Sequence, residues 1–306
     1  MSLDASSLFS VKGTVAVITG GGTVNASNKP GLGRTIALAL DANHASKVFI
    51  LGRRENILHK ACSQATNGSL IAIPTDISSK ESLEAAYKAI AAQTTHIDLL
   101  LVNSGIVGPP TALPPNPDRT APPTLLEFRD HHFSHPMDSF SRVFDVNVTG
   151  SHYTILAFLP LLANANLSRP SPQQDIIAPP RPQIIITSSI GGLLDRPAGF
   201  AYGLSKAALR HMVGVWCSQL AEHQIRVNGI APGLFFSDMT CPMYERFGIP
   251  GSGVSDGSFP AGHIPVTRGG GEVDVAGLVL WMASFGGGYL NGETVVLDGG
   301  RRRVIA

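Results

Sequence analysis

Tyr202 and Lys206 stand four residues apart in AYGLSKAAL, Ala201 to Leu209. That step stacks two side chains one turn apart on one helix face. A free tyrosine titrates near about 10, so it holds its proton at neutral pH and can deliver it to a developing oxyanion. An ammonium beside it favours the phenolate and eases proton transfer in both directions. The spacing alone is also that of a half-buried aromatic beside a surface cation. Thirteen residues upstream, Ser188 and Ser189 end the apolar run QIIITSS (183–189). Their hydroxyls then lie at the carboxyl edge of a sheet, where open α/β sheets bind ligands. Asn147 lies inside the helical pattern around FDVNVTG, where an amide needs a hydrogen-bond partner.

A second set of residues suits a dinucleotide. The apolar run TVAVIT (14–19) leads into GGGTVNASNKPGLG (20–33), and a helical pattern follows. Glycines between a strand and a helix let the backbone approach a pyrophosphate, whose charge rests on the helix N-terminus. A tight turn is the plainer reading; the strand–turn–helix order favours the nucleotide. Twenty residues past Gly33, the second apolar run ends in Gly52, Arg53 and Arg54. A carboxylate there would accept hydrogen bonds from a ribose 2′-hydroxyl. Two guanidinium groups suit a 2′-phosphate instead. This favours NADPH over NADH, against the reading of both arginines as a solvated helix start. Lys29, in the glycine segment, is a weaker addition to the same phosphate site.

These residues need a frame to hold them. Apolar runs at 14–19, 47–51, 69–75, 97–103, 183–189, 225–231 and 294–299 alternate with helical patterns at 31–43, 79–93, 139–162 and 200–223. Continuous apolar strands are what a parallel sheet buried on both faces requires. Alternation of strand and helix with right-handed crossovers gives a doubly wound sheet. The expected fold class is α/β: a single Rossmann-like domain over 1–306, with a seven-stranded, mainly parallel sheet and helices on both faces. Proline removes a donor and fixes φ, so the proline-rich segments 108–136 and 164–182 read as surface loops. The glycine segment adds a third surface insertion at 21–30.

Composition excludes several classes. The chain is 43% hydrophobic and 15% charged, with a formal net charge of +1, so no electrostatic argument points to nucleic acid or an acidic membrane. The RRRVIA tail reads as solvated. Cys62, Cys217 and Cys241 show neither metal spacing nor an even disulfide framework, which fits a reducing compartment. The start lacks a signal-peptide pattern, and no apolar run approaches the length of a membrane span. The expectation is a soluble cytoplasmic protein with a small-molecule substrate.

Taken in order along nearly the whole chain, the pieces resemble the short-chain dehydrogenase/reductase family. They are the glycine turn, TDIS with Asp76, VNSG with Asn103 and Gly105, DVNVTG with Asn147, SSIGG with Ser189, YGLSK, IRVNGIAPGLFFSDM and YLNGETVVLDGG. Tyr-x-x-x-Lys alone is weak; the ordered set is specific. The resemblance implies a catalytic tetrad of Asn147, Ser189, Tyr202 and Lys206. Ser189 would orient and polarise a carbonyl. Lys206 would also hold the nicotinamide ribose, and Asn147 would hold a water linking Lys206 to solvent. The cofactor would supply the hydride, the protein position and charge. Gly20, Gly22, Gly31, Leu32 and Gly33 would meet the pyrophosphate. Asp76 and Ile77 would lie at the adenine, and Asn103, Ser104 and Gly105 at the adenosine ribose. Pro232, Gly233 and Leu234 would face the nicotinamide. Ser237 keeps the hydroxyl of a threonine common in the family.

The chain also departs from the family. Ten residues separate Gly20 from Gly31 where the family has three, so which of Gly20, Gly21 and Gly22 faces the pyrophosphate is open. Val102 and Ser104 stand where the family usually has Asn and Ala. The 108–136 insert lies near the mouth of the site as lid, partner surface or filler. Its His131, His132 and His135 have no carboxylate within HHFSH and read as solvated, so no metal is expected. A substrate flap is expected near 234–265. Its Leu234, Phe235, Phe236, Met239, Met243, Tyr244 and Phe247 are more apolar than a free surface should be, which suggests a bulky apolar substrate. Glycines at 248, 251, 253, 257 and 262 let it move. The resemblance further implies a homodimer or homotetramer. The expected function is NADP(H)-dependent hydride transfer between nicotinamide and a ketone or secondary alcohol, on a polyketide-like or acyl substrate of secondary metabolism. The alternative is a cofactor-binding protein without redox work: a cyclase, isomerase or regulator.

Overall fold

The computed structural model describes residues 3–23, 30–113, 122–167, 169–170, 173–174, 176–195, 199–237, 239–249 and 251–305, with Pro242 and Arg246 as backbone only. Lys29 and most of the 21–30 insertion lie outside the described residues.

The strands are β1 (Val15–Thr19), β2 (Lys47–Gly52), β3 (Leu70–Pro74), β4 (Leu99–Val102), β5 (Gln183–Thr187), β6 (Arg226–Pro232) and β7 (Thr294–Leu297). They form one sheet in the order β3-β2-β1-β4-β5-β6-β7, and every pair is parallel. The helices are α1 (Ala5–Leu8), α2 (Leu32–Ala42), α3 (Glu55–Cys62), α4 (Lys80–Ala91), α5 (Leu125–Phe133), α6 (Met137–Phe144), α7 (Gly150–Leu167), α8 (Phe200–Gln219), α9 (Cys241–Arg246) and α10 (Glu272–Ala283).

Successive strand residues point to opposite faces, and both faces are covered. Val15, Val17, Phe49, Leu100, Ile184 and Val227 pack with Ile90 of α4, Phe158 of α7 and Val213 of α8. Ala16, Ile18, Val48, Ile50, Leu101 and Ile230 pack with Ile36 of α2, Leu58 of α3 and Val279 of α10. Burying each large apolar side chain contributes roughly 1.5–3 kcal/mol. The flap has a small core of its own, with Leu234, Tyr244, Phe259 and Ile264 buried against one another.

Four expectations need correction. The 108–136 segment is not all loop, because α5 forms inside it. Thr124 and Glu127 close a reciprocal capping box there, with Glu127 N–H donating to Thr124 Oγ1 and Thr124 N–H to Glu127 Oε2. The Thr-x-x-Glu signature was legible, and the prolines before it obscured it. The 164–182 loop starts later, since α7 runs to Leu167. α8 ends at Gln219, before the expected 223. Finally, Met137–Leu167 is one 31-residue helical stretch that reaches membrane-spanning length and apolarity. Here its Ile155, Phe158, Leu161 and Leu162 sit in the sheet's core.

Candidate active site

Strand order reverses between β1 and β4, which opens a crevice at their carboxyl ends. A cavity of about 810 Å³ lies there. Its floor is the turn after β1. Gly20 takes φ +69°, a left-handed conformation suited to glycine, and a Cβ on it would come within 3.0 Å of Asn103 Nδ2. A Cβ on Gly33 would meet Gly20 O at 2.7 Å, so α2 packs directly on this turn. Asn103 N–H and Ser104 N–H both donate to Thr19 Oγ1, at 2.9 and 3.0 Å, tying the end of β4 to that of β1. Gly31 caps α2 without a side chain, which leaves the positive end of the helix dipole open toward the cavity wall.

At the far side Arg53 and Arg54, both exposed, line the cavity with Asp76 and Ile77. The hydrogen bonds from Ser78, aided by the nearby charges of Arg53 and Arg142, hold the Asp76 carboxyl below the usual carboxylate range. Ser78 Oγ and N–H reach Asp76 Oδ1 at 2.6 and 2.9 Å.

The chemistry-bearing group lies under the middle of the cavity. β5 ends at Thr187, and Ser188 and Ser189 diverge. Ser188 Oγ is buried and donates to Lys206 O at 2.6 Å, which fixes α8 to the sheet. Ser189 Oγ accepts from Gly191 N–H at 3.0 Å, and its hydroxyl shares a hydrogen bond with Tyr202. Burial pushes the Tyr202 phenol above its ordinary value, and the Ser189 bond pulls against that rise. The expected lowering by Lys206 is not the dominant effect. Lys206 Nζ lies 5.6 Å from the centre of the Tyr202 ring and donates to Thr187 O at 2.9 Å. Burial pushes Lys206 itself down to about 8, because a low-polarity surrounding disfavours the ammonium.

Asn147 explains its awkward place in a helix. Between α6 and α7 the helix widens into a π turn at Asp145–Thr149, a form often found at functional sites. The widening turns the buried amide toward the loop after β4. Asn147 Oδ1 accepts from Ile106 N–H at 2.8 Å. Its Nδ2 donates to Ile106 O and Ser205 Oγ, both at 3.0 Å. Ser205 Oγ in turn donates to Tyr202 O at 2.8 Å. The carboxamide therefore clamps the 106 loop to α8 one residue from Lys206. A Cβ on Gly105 would lie 3.3 Å from Asn147 Oδ1 and 3.4 Å from Lys206 Nζ, so a side chain there would press on both groups.

The cavity lining includes Gly20, Gly31, Leu32, Arg53, Arg54, Asp76, Ile77, Asn103, Ser104, Gly105, Ser189, Tyr202, Lys206, Pro232, Gly233 and Ser237. Three further expected residues are not among those that line it. Gly22 backs onto Leu58 of α3, and Gly33 backs onto the β1 turn. Leu234 is buried in the flap core, its carbonyl accepting from Gly270 N–H at 2.8 Å. The sequence reading missed Ser205 and Thr240. Thr240 Oγ1 accepts from Ser237 N–H at 2.9 Å and lines the cavity. Its signal was a hydroxyl three residues past Ser237, a local turn pattern. Ser205 gave a fainter one, a small polar residue inside YGLSK.

Relatives of known sequence and structure share this arrangement's frame. A family model described as short chain dehydrogenase matches residues 14–246. The chain is 40% identical over 306 residues to the short-chain dehydrogenase/reductase PhomF of Diaporthe leptostromiformis, covering 99% of this chain and 96% of that protein. It is 28% identical over 295 residues to a rhamnolipids biosynthesis 3-oxoacyl-(acyl-carrier-protein) reductase of Pseudomonas aeruginosa, covering 95% and 97%. The Pseudomonas aeruginosa RhlG/NADP active-site complex superposes with a TM-score of 0.72 at 26% identity, over 96% of this chain and 98% of that one. With matches of this extent, the chain belongs to the short-chain dehydrogenase/reductase family, oxidoreductases that act on small molecules with a nicotinamide cofactor.

Proposed function

We propose that the protein is an NADPH-dependent ketoreductase acting on a bulky, apolar acyl or polyketide-like ketone. One observation carries the reading: the Tyr202–Ser189 hydroxyl pair opens into a cavity whose other end carries Arg53 and Arg54. The cavity fits a dinucleotide phosphate. Gly31 leaves a helix N-terminus open, and Gly105 lines the cavity beside Lys206 without a side chain of its own. Arg53 and Arg54 would hold a 2′-phosphate, each by charge-assisted hydrogen bonds. The reduced nicotinamide, when bound, supplies the hydride. Ser189 donates a hydrogen bond to the substrate carbonyl and holds it against Tyr202. Tyr202 Oη gives its proton as negative charge develops on the carbonyl oxygen. Lys206 stabilises the phenolate left behind. Asn147 keeps Lys206 and Tyr202 in register through Ser205, and a water beside it completes the path for reprotonation. Phe236 and Met239, both in the cavity wall, supply an apolar face for the substrate. The NADP complex and the 3-oxoacyl reductase among the similar proteins support the cofactor and acyl readings.

The outer faces of α7 and α8 expose Tyr153, Leu156, Leu204 and Val215. That apolar surface supports a homodimer or homotetramer, measurable by light scattering. The activity test mixes the protein with NADPH and a panel of β-keto thioesters and aryl ketones, following nicotinamide absorbance. Turnover with NADPH well above that with NADH is expected. Bound NADPH with no turnover across the panel would shift the assignment to a cyclase, isomerase or regulator.

A further inference from the structure

The 108–136 insert holds a cluster that hydride transfer does not use. His131 and His132 lie in the last turn of α5, and His135 follows one turn after His131. Their ligand nitrogens all lie within 4.8 Å of one another, the one such group of metal-ligating side chains among the described residues. The ring centres of His131 stand 4.9 Å from His132 and 5.0 Å from His135. All three Nε2 atoms are buried with no hydrogen-bond partner. Solvated imidazoles would not leave them so. A buried nitrogen without a partner forfeits the hydrogen bond it would make in water, and three converging ones call for a shared partner.

The second nitrogen of one ring is already committed. His132 hydrogen-bonds the backbone of Thr111, which fixes the orientation of its ring, as outer partners do for metal-binding histidines. The same ring packs edge-on against Phe128 at 4.3 Å and against Phe200 at 5.1 Å. Phe200 opens α8, two residues before Tyr202. Nearby carboxylates are engaged elsewhere, Asp130 with Arg129 at 2.7 Å and Glu127 in the capping box. An all-imidazole set excludes hard cations, which take oxygen ligands, and suits zinc and its neighbours. The absence of a carboxylate, which argued against a metal in the sequence, is no obstacle to a three-histidine set completed by water.

We propose that His131, His132 and His135 bind a divalent zinc-class ion that fixes the end of α5, where His132 packs on Phe200 at the start of α8. With Zn–N bonds of about 2.0–2.1 Å, tetrahedral ligands stand about 3.3 Å apart. The three nitrogens reach that by closing at most about 1.5 Å, a movement within the reach of side-chain rotation at a helix end. The ion stands beside the reaction, not within it, so the proposal does not rest on the ketoreductase reading.

The test uses the full chain stripped with chelator. Titration with Zn²⁺ by calorimetry should show one equivalent binding tightly, and Co²⁺ should give the intense visible bands of a four-coordinate site. His131→Gln and His135→Gln should each weaken Zn²⁺ binding by more than about tenfold, since each removes one of three ligands. Zn²⁺ should raise the melting temperature of the parent protein and leave that of the double variant unmoved. Zn²⁺ binding equal in parent and double variant, or a cobalt spectrum like that of the free ion, would overturn the proposal. The parent's cobalt spectrum alone decides if either variant fails to fold.

Discussion

Two walls enclose the cavity, and they are built differently. The sheet-side wall holds Ser189, Tyr202 and Lys206 on elements whose backs are in the main core. Ser188, Asn147 and Ser205 bind that wall together through hydrogen bonds to backbone atoms. The flap wall, after β6, rests on its own four-residue core, separate from the two that sandwich the sheet. Its loops carry Gly248, Gly251, Gly253 and Gly257 at positive φ, and Met239 and Phe247 stay about two-fifths exposed. In the proposed reaction, proton transfer needs atoms held within a fraction of an ångström, which rigid elements provide. On the same proposal, the flap's looser surroundings suit substrate choice, which can change without disturbing the chemistry.

The comparison can be broken most directly at Tyr202. Tyr202→Phe should lower kcat by about 10²–10⁴-fold while NADPH still binds; an unchanged kcat would remove the sheet-side wall from the mechanism. The next largest contrast is in packing. Phe158→Ala, beneath the sheet, should cost about 3–5 kcal/mol of global stability. Phe259→Ala, which cuts a ring of equal size from the flap core, should instead raise the substrate KM and speed amide exchange in 234–265 with a much smaller global cost. Equal losses in both would show that the flap is not a separate unit. Arg53→Asp should weaken NADPH by about 10- to 100-fold, the worth of one or two charge-assisted bonds, and leave NADH nearly unaffected. Equal effects on both cofactors would end the 2′-phosphate assignment.

Lys206 gives a subtler test, in which function and stability oppose each other. Its folded pKa is near 8 against an ordinary 10.5. The unfolded chain therefore binds more protons between those values, and stability from this group rises with pH across that window. Below about 8 the cost of the buried ammonium is fully present, roughly 3 kcal/mol from the shift. Lys206→Met should be inactive yet stabilised at pH 7 by about 2 kcal/mol, after losing about 1 kcal/mol with the Thr187 bond. That gain should vanish by pH 10.5. A variant no more stable than the parent at pH 7 would show that the ammonium is better solvated than its burial implies.

Much of this arrangement was legible before folding was considered. The seven strands were visible because a parallel sheet covered on both faces needs unbroken apolar runs, and Val15, Leu99 and Ile184 supply them. Tyr202, Lys206 and Ser189 could be paired because helix spacing and strand ends obey local geometry. α5 was hidden by neighbouring prolines, although its capping box was written in Thr124 and Glu127. Gly22 and Gly33 do not line the cavity, and the sequence could not say so, because a glycine that admits a phosphate looks the same as one that admits a neighbouring helix.

What the chain by itself determined was the order of elements and the types of reactive group, since both follow from short-range periodicity and side-chain chemistry. Tertiary structure alone decided two matters: the Asn147 amide clamps Ile106 and Ser205, and three histidine Nε2 atoms are buried together without a hydrogen-bond partner. Each depends on which groups remote in the chain come to share a buried space, and burial is set by the whole packed fold rather than by any local stretch of residues.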